Sequence, residues 1–553
     1  MDEKMRQQNS GWTSITILAS ALLLCCIECM AQATPTQEIP VSSAITADVQ
    51  QQKQNEAEAS AYTLKVYSDL VLLDVVVRDA KGNLVKGLQR GDFSIKEDDV
   101  AQRLDSLEET TSPSGNRSRQ EKVESTQELD RRTPKAPVTI FVLDELTTRF
   151  EDEYFARYSL RKYLSRQGEI LDQPVMLVAR TVDRTMLLCD YTTSKKKVLN
   201  ALNQHLVGND WRNRNPNYTD VQTSAAFASL IEVAKATEGH PGHKNLVWVG
   251  RGFSSLQWDS LQDDQAEILQ QMVAKCVEIL RKARVTLYAI DPAGVTVEAS
   301  KMDQNDMATP DDPWGGAVSF ESIVQSTGGQ SMHGRNDVDR LIDDAVDDGK
   351  NFYTLSYRSS LHNVGDATKF RAIKITVKDG TLTASTRHGY FPAVAEDSQF
   401  LNAQEKTDES SAIDLAAACS GLMVFDGMPL TISPLGSASG QVQLSFPASA
   451  VGLELSNGRL RGDVTLITLS YDRVGKLLAK DGRVVSLHLS PLQPGQVESR
   501  KIQIVTAMNP QLAVARVRLV VRSHSNGKIG ADNLFLTDPK TLHDPATGVR
   551  QQK

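Results

Sequence analysis

The chain has 553 residues, of which 40% are hydrophobic and 24% are charged, and its formal net charge is −8. This composition is typical of globular domains with apolar cores and excludes a disordered polymer, and the length suggests about three domains. The acidic balance argues against nucleic acid as a partner, because nucleic-acid-binding domains usually carry an excess of basic residues.

Residues 1–33 have the pattern of a secretory signal peptide. Lys4 and Arg6 precede a mostly apolar run over residues 15–27, and Ala-Gln-Ala at 31–33 forms a small-residue cleavage site. An uncleaved membrane anchor is the alternative, although the apolar run is short for a membrane span. We therefore expect an exported protein, in the periplasm, at the cell surface or outside the cell, with no transmembrane span after signal cleavage.

The segment that follows is predicted to be one half of a split β domain. Residues 34–61 are polar and are expected to form a flexible linker. Residues 62–109 contain short strands joined by Gly and Asn turns, but so short a unit makes a poor independent core. We expect a hairpin at 369–392 to complete it, after a polar linker at 110–136 and an inserted domain at 137–358.

The inserted stretch alternates between strand and helix patterns. Strands are expected near 138–144, 175–180, 185–190, 245–250, 285–291 and 352–357. Helices are expected near 151–166, 194–205, 221–237, 263–283, 318–327 and 336–347. The alternation predicts an α/β fold with a doubly wound, mostly parallel sheet and helices on both faces.

Beyond the hairpin, residues 393–412 are expected to form a linker. Residues 413–538 are predicted to form a β-sandwich, because short strands recur there between Gly-containing turns. Residues 539–553 are expected to be a flexible tail. The chain is thus expected to hold an α/β domain inserted in a split β domain, followed by a β-sandwich.

Two predicted strands end in an aspartate. The apolar run Val138–Asp144 ends in Asp144, and the run Val285–Asp291 ends in Asp291. Because the carboxyl ends of parallel strands meet at one edge of a sheet, where α/β folds bind ligands, both carboxylates are candidates for a binding edge. Two plainer roles remain open: Asp144 as the cap of the following helix, and Asp291 as part of an Asp-Pro-Ala-Gly turn.

Several segments, taken together and in order, carry a resemblance to a known family. They are Leu70–Asp79, Gly87–Phe93, Phe141–Asp144, Val285–Pro292, Thr327–Gly329, Tyr353–Tyr357 and Arg387–Phe391. Over residues 62–392 the chain resembles the acidobacterial von Willebrand factor A-related domain proteins. The resemblance implies a secreted or envelope-associated protein with an A-type domain, and the broader superfamily binds proteins rather than performing chemistry.

The resemblance also implies a metal site against which the sequence can be compared. A-type domains commonly bind a divalent cation through Asp-x-Ser-x-Ser after the first strand, a Thr from a later loop and an Asp after the fourth strand. Here Asp144 and Thr148 match the first motif, whereas Leu146 replaces one hydroxyl. Thr219 can stand in for the loop threonine, and Arg251 stands where the second acid would fall. If the site is retained, Asp144, Thr148 and Thr219 would hold Mg²⁺, which prefers hard oxygen ligands.

The loss of two ligands together with the gain of a fixed positive charge suggests a different arrangement. We hypothesise that Arg251 replaces the ion and pairs directly with Asp144, as guanidinium–carboxylate geometry allows. The site would then be degenerate, with no cofactor.

Catalytic motifs are missing from the sequence. It has no HExxH, no GxSxG, no Walker loop and no GxGxxG after a strand. The pair His240 and His243 is expected to lie in a solvated loop rather than bind metal, and the acidic run 343–348 is expected to form a solvated helix face. The chain is therefore not expected to be an enzyme.

The sequence favours an exported binding or adhesion-type protein that uses its A-type domain for protein–protein recognition. The ligand would be a protein or an envelope polymer, bound at the carboxyl ends of the parallel strands. The residues expected to line that edge are Asp144, Thr148, Thr219, Arg251 and Asp291. Two alternatives stay open: a structural envelope component without a ligand site, and a metal-dependent hydrolase that uses Asp144.

Overall fold

The computed structural model describes residues 70–110, 122–181, 184–206, 219–253, 255–257, 263–294, 317–361, 370–391 and, with short gaps, 415–536. The expected signal peptide at 1–33, the linkers at 34–61 and 393–412 and the tail at 539–553 lie outside the described residues. Among the described helices, none combines the length and the apolar character that crossing a membrane requires.

The secondary structure of the described residues is as follows. In chain order the strands are β1 (Leu70–Arg78), β2 (Phe93–Glu97), β3 (Val100–Gln102), β4 (Leu104–Thr110), β5 (Val138–Asp144), β6 (Ile170–Arg180), β7 (Thr185–Ser194), β8 (Lys244–Val249), β9 (Leu256–Gln257), β10 (Val285–Ile290), β11 (Ala317–Val318), β12 (Ser331–Met332), β13 (Phe352–Arg358), β14 (Arg371–Val377), β15 (Thr383–Ser385), β16 (Gly389–Tyr390), β17 (Phe425–Asp426), β18 (Thr431–Pro434), β19 (Gln441–Pro447), β20 (Glu454–Ser456), β21 (Arg459–Tyr471), β22 (Leu477–Leu489), β23 (Lys501–Ala507), β24 (Arg516–Ser523) and β25 (Ile529–Phe535). The helices are α1 (Thr126–Arg132), α2 (Phe150–Arg166), α3 (Lys195–Gln204), α4 (Thr219–Ala236), α5 (Asp263–Lys282), α6 (Phe320–Ser326) and α7 (Val338–Asp348).

A six-stranded sheet forms the centre of the α/β region, residues 138–348. Its strand order is β12-β10-β8-β5-β6-β7, and every pair is parallel except β6–β7, which is antiparallel. Helices α2, α3 and α7 pack on one face, and α4, α5 and α6 pack on the other. The expected mixed α/β fold with a mostly parallel sheet is confirmed.

The N-terminal strands and the strands after the α/β region pair with each other, and together they form the split β region. β14 pairs with β2 and β15 pairs with β1, so the 369–392 strands do pack with the N-terminal strands. They do not form the expected hairpin across Asp379-Gly380, because β14 and β15 lie in different sheets and β14 pairs with β16 instead. β13 was expected within the strand–helix alternation, but it pairs antiparallel with β1 and β4 instead of joining the parallel sheet. Its apolar residues Leu355 and Tyr357 complete the core of the split β region, which β1 and β4 cannot close alone.

A half-buried carboxylate joins the split β region to the α/β region. Asp74 of β1 lies 2.8 Å from His243 Nδ1 through one oxygen and 2.8 Å from Arg284 Nη2 through the other, and it accepts a 2.7 Å hydrogen bond from Thr354 Oγ1. Burial alone raises the pKa of Asp74, but His243, Arg284 and Thr354 outweigh it and hold the pKa well below its ordinary value of 3.8. The ionised carboxylate therefore stabilises this interface.

The two histidines of the His-Pro-Gly-His segment are buried, so the expectation of a solvated loop is wrong. His240 Nδ1 lies 3.3 Å from Asp130 Oδ1, and its Nε2 lies 2.8 Å from the carbonyl oxygen of Ala136. His243 faces the opposite way, toward Asp74. The loop is covered because it enters β8 beneath both α1 and β1. His240 therefore contacts α1 and the segment before β5, whereas His243 contacts β1, and the two rings do not face a common site.

The acidic run at the end of α7 is also only partly solvated. Asp348 is buried and forms an ion pair with Arg78 of β1, which is a second contact between the split β region and the α/β region. Burial raises the pKa of Asp348 to about 6, against the lowering effect of Arg78. The charge pattern of a helix cannot predict which acidic residues become buried against another part of the chain.

The C-terminal region, residues 415–536, contains two antiparallel sheets around a shared apolar core. One sheet has the order β17-β25-β24-β21-β20, with β22 also paired to β21, and the other has the order β18-β19-β23. Apolar side chains of β19, β21, β22, β23 and β24 meet between them. A second set of side chains from this region, including Phe425 and Ile529, belongs to the same core cluster as Phe227 and Leu230 of α4.

Because the C-terminal region packs on the side of α4 that faces away from the parallel sheet, α4 is buried on both sides. Arg518 of β24 is fully buried, and its guanidinium donates to the carbonyl oxygens of Ala418 at 2.6 Å and Met423 at 2.9 Å. The backbone N–H of Gly239 donates to Asp426 Oδ1 at 2.6 Å, and a Cβ at Gly239 would lie 2.2 Å from the Asp426 carbonyl oxygen. The C-terminal region therefore packs directly against the α/β region.

We predict that Asp74→Asn lowers the free energy of unfolding by about 2 kcal/mol or more, because it leaves the half-buried guanidinium of Arg284 without a charged partner and weakens the contacts to His243 and Thr354. Urea unfolding of the full chain measures this. The matched control is Asp99→Asn, an exposed position with a φ of 63°. Asn tolerates that conformation, so we expect a change within about 0.5 kcal/mol.

The pH dependence gives a second readout of the same prediction. Because folding lowers the pKa of Asp74, its contribution is fully present above 3.8 and is lost as the pH falls through the folded-state pKa. The difference between wild type and Asp74→Asn should be undiminished at pH 5 and should shrink below about pH 4. A difference that grows on acidification through that window contradicts the assignment.

Candidate functional site

The candidate site lies where the chain reverses its direction across the parallel sheet. From β5 the chain first adds β6 on one side, and later adds β8 on the other. Such a point opens a crevice at the carboxyl ends of the two central strands. Asp144 ends β5, the segment 250–252 follows β8, and Asp291 follows β10. These residues therefore lie at one edge of the sheet.

Asp144 is buried and accepts hydrogen bonds at both carboxylate oxygens. Its Oδ1 accepts from the backbone N–H groups of Leu146 at 3.2 Å and Thr147 at 3.1 Å. Its Oδ2 accepts from Thr147 Oγ1, from the Trp248 indole N–H at 3.1 Å and from the Gly252 N–H at 3.3 Å. Burial raises the pKa of Asp144, and these hydrogen bonds oppose that rise. Neutral donors thus surround this carboxylate.

The glycines after β8 bring these donors close. A Cβ at Gly250 would lie 2.4 Å from Asp144 Cβ, so only glycine lets the two strand ends approach this closely. Gly252 has a φ of 67°, and a Cβ there would lie 2.2 Å from the ring of Phe320. The same ring packs against Trp248, with 5.1 Å between the ring centroids. Both glycines of the Gly-Arg-Gly sequence are therefore structural requirements of the edge.

The hypothesis that Arg251 pairs with Asp144 is wrong. Arg251 Nη2 lies 3.5 Å from Asp152 Oδ2, and its Nε lies 3.7 Å from Asp291 Oδ1. The tight turn at 250–252 directs a backbone N–H toward Asp144 and turns the arginine side chain outward. The cation whose charge lowers the pKa of Asp144 is Arg180 of β6.

Asp291 contacts Arg251 and also stabilises the turn that follows β10. Its Oδ1 accepts a 2.9 Å hydrogen bond from the N–H of Ala293, which is the turn chemistry expected of Asp-Pro-Ala-Gly. The side chains of Asp152, Asp291 and Arg251 are part-exposed, with exposed fractions between 21% and 34%. The edge therefore presents a guanidinium between two acids to the solvent.

The other predicted site residues have different environments. Thr148 is buried, and its Oγ1 has no hydrogen-bond partner among the described residues. It lies beside Asp144, because a Cβ at Gly250 would approach both side chains. Thr219 begins α4, but its side chain lies outside what the structure describes. The helix-cap role for Asp144 is wrong, since α2 begins at Phe150 after the N-cap Arg149, and Asp144 caps the turn that precedes it.

Glu145 is a residue of this edge that sequence reasoning missed. It is 3% exposed, lies 2.6 Å from His205 Nε2 and lies 3.8 Å from Arg157 Nη1. Arg157 also donates to the carbonyl oxygen of His205 at 2.7 Å. Glu145 therefore fastens the end of α3 to the loop after β5. In the sequence it stands at a spacer position of the Asp-x-Ser-x-Ser pattern, which gives no sign of this role.

An exposed row of aromatic side chains begins at the same edge, on α2. Phe150, Tyr154 and Tyr158 are 41%, 67% and 50% exposed, and their spacing of four residues puts them on one helical face. Asp152, in the first turn of the same helix, contacts Arg251. The aromatic row, defined as these three residues, therefore begins in the same helical turn that supplies Asp152 to the charged edge, on a different face of α2. The sequence predicts a helix near 151–166 but places no site residue on it.

The comparisons with known proteins give little. No protein-family model matches the chain, and no curated protein matches it at a significant level. Among solved structures, the crystal structure of the SpRpn10 VWA domain matches with 14% sequence identity and a TM-score of 0.16, over 29% of this chain and 89% of that chain. At this TM-score the likeness carries no conclusion about this chain.

We predict that Asp144 and Arg251 contribute independently to stability. In a double-mutant cycle with Asp144→Asn and Arg251→Gln, the coupling energy should be below about 0.5 kcal/mol, because the side chains are not paired. The matched cycle with Arg251→Gln and Asp291→Asn should give a larger coupling that stays below about 1 kcal/mol, since this pair is part-exposed. Urea unfolding measures both cycles, and the reverse ranking would contradict the geometry.

We also predict that Thr148→Val leaves the free energy of unfolding unchanged or raises it by up to about 1 kcal/mol, because it removes a buried hydroxyl without a described partner. The control is Thr193→Val, since Thr193 Oγ1 accepts from the Val123 N–H at 3.1 Å. That control should lose about 1 kcal/mol. An equal loss for both variants in thermal or urea unfolding would show that Thr148 has a partner.

Proposed function

We propose that this chain is an exported, non-enzymatic binding protein of the von Willebrand factor A-like type, which recognises a protein partner at the carboxyl edge of its parallel sheet. The observation that carries the proposal is the exposed aromatic row on α2, the helix whose first turn also supplies Asp152 to Arg251. The export assignment rests on the pattern of residues 1–33 alone, and the family assignment rests on the sequence resemblance.

The composition of this surface suits protein recognition. Tyr and Arg side chains are enriched among the residues that contribute most to protein–protein binding, because they offer large contact area with polar ends. Tyr154 and Tyr158 expose such area on a helix, and Arg251 is held between Asp152 and Asp291 at its N-terminal end. A partner with an apolar ridge would complement the aromatic part of this surface.

We further propose that the site works without a divalent cation. Mg²⁺ needs free carboxylate and hydroxyl lone pairs in a nearly octahedral arrangement. The Oδ2 atom of Asp144 already accepts from Thr147, Trp248 and Gly252, and Leu146 offers no oxygen in its side chain. A cation would have to displace these donors, so the residues do not fit the ion.

The same geometry argues against the hydrolase alternative. A general base needs a carboxylate that can reach a substrate proton. The carboxylate of Asp144 is buried beneath the turn 145–148 and is satisfied by the surrounding donors. We assign it a structural role: it fixes the loops that present Arg251 and α2. In this proposal the C-terminal region is a β-sandwich that braces the opposite face of the α/β region.

Site-specific photo-crosslinking tests the proposal. A benzophenone amino acid replaces Tyr154 in one sample and Leu455, which is 71% exposed in the C-terminal region, in the other, each in the native host. We expect a defined protein adduct from position 154 that position 455 does not give. Tyr154→Ala with Tyr158→Ala should then weaken binding of that purified protein at least about tenfold, as loss of aromatic contacts does elsewhere.

Two outcomes would contradict the proposal. The first is the same adducts from both positions, or none from position 154, which favours a structural envelope component. The second is binding that survives the double Tyr variant but is lost in Phe535→Ala, a matched exposed aromatic in β25. Binding that requires added Mg²⁺ or Mn²⁺ would overturn the metal-free part alone.

A further inference from the structure

A cavity of about 290 Å³ lies between the split β region and the α/β region. It opens at the amino end of β10, where Val285 begins the strand, and so it lies at the edge of the sheet opposite to Asp291. Its walls come from β1, the end of α5, the start of β10 and the segment before β16. The proposed recognition surface does not include it.

Cationic side chains dominate one wall of this cavity. They are Arg281, Lys282, Arg284 and Arg387. Arg281 is paired with Glu278, with 2.7 Å between Nε and Oε2, and Arg284 is paired with Asp74. Lys282 and Arg387 have no carboxylate partner within hydrogen-bond distance among the described residues. The cavity therefore holds more positive than negative charge.

Arg387 is fixed against this cavity. Its Nη2 donates to the carbonyl oxygen of Leu72 at 2.6 Å, while its Nε is buried with no acceptor among the described residues. Gly328, with a φ of 86°, lets the two segments meet, since a Cβ there would lie 2.5 Å from the Arg387 backbone nitrogen. Burial and the neighbouring charge of Arg281 lower the pKa of Arg387 to about 10. An anion here would offset that repulsion.

Apolar side chains line part of the same cavity. Leu70 and Leu72 of β1 are 41% and 38% exposed, and with Val277 of α5 they line the same space. The volume is at the lower end of the range of about 300–1,000 Å³ found for ligand pockets. It suits a small molecule with one acidic end and one apolar end.

We propose that this cavity binds a small organic anion, with its phosphoryl or carboxyl group against Lys282 and Arg387 and its apolar part against Leu70 and Leu72. Guanidinium groups bind both kinds of acid with paired hydrogen bonds, so the shared feature is a multidentate oxyanion. The two head groups are distinguished by experiment.

Isothermal titration of the full chain at low ionic strength tests this site with three probes: phenyl phosphate, benzoate and the neutral benzyl alcohol. We expect saturable binding of at least one acid at one site per chain, and none of benzyl alcohol. The tighter acid identifies the head group. Absence of saturable binding by both acids overturns the proposal, and so does equal binding of benzyl alcohol.

Variants locate the binding. Lys282→Glu changes an exposed side chain and should weaken the tighter acid at least about fivefold through charge reversal next to the ligand. Lys196→Glu makes the same change on an exposed position of α3 and should leave the affinity within about twofold, because charges beyond the screening length contribute little. Arg387→Gln, checked by thermal unfolding, should weaken binding at least as much as Lys282→Glu. An equal loss in Lys196→Glu overturns the assignment.

Discussion

The carboxylate of Asp144 is solvated by the protein itself, and the geometry of the carboxyl edge depends on this. Its donors come from the turn after β5, from a strand residue of β8 and from the loop that follows β8. A buried charge that accepts several N–H and O–H groups needs no counter-ion in contact. Because the donors belong to separate segments, the carboxylate sets their spacing, and Arg251 is left to face outward toward Asp152 and Asp291.

At the opposite edge of the sheet, a carboxylate is stabilised by side chains from another region of the chain rather than by backbone and indole N–H groups. There Asp74 of the split β region contacts His243 and Arg284 of the α/β region. Charged pairs between two regions specify how they dock, since each charge is costly to bury without its partner. The cations that remain unpaired gather around a cavity, whereas the carboxyl edge presents aromatic surface. One sheet thus offers two chemically distinct ends.

Much of the fold could be predicted from the sequence, because it is carried by local periodicity. The apolar run Val138–Asp144 and the stripe along α5 predict a strand and a helix wherever they are placed. β13 has a strand pattern too, but the pattern does not say which sheet it joins. Likewise the pairing of Arg251, and the burial of His240 and His243, depend on which segments meet in space. Residue spacing identified the edge, and it could not identify the contacts made across it.

The burial of α4 on both sides has a practical consequence for dissecting the protein. In many multidomain chains a linker can be cut and each module handled alone. Here a fragment that stops before residue 415 would strip Phe425 and Ile529 from Phe227 and Leu230 and leave an apolar helix face open to water. Such a fragment would be prone to aggregate. Proteolytic nicking of the segment between residues 391 and 415 leaves the two pieces held together by this shared core, so cleavage there need not release either one.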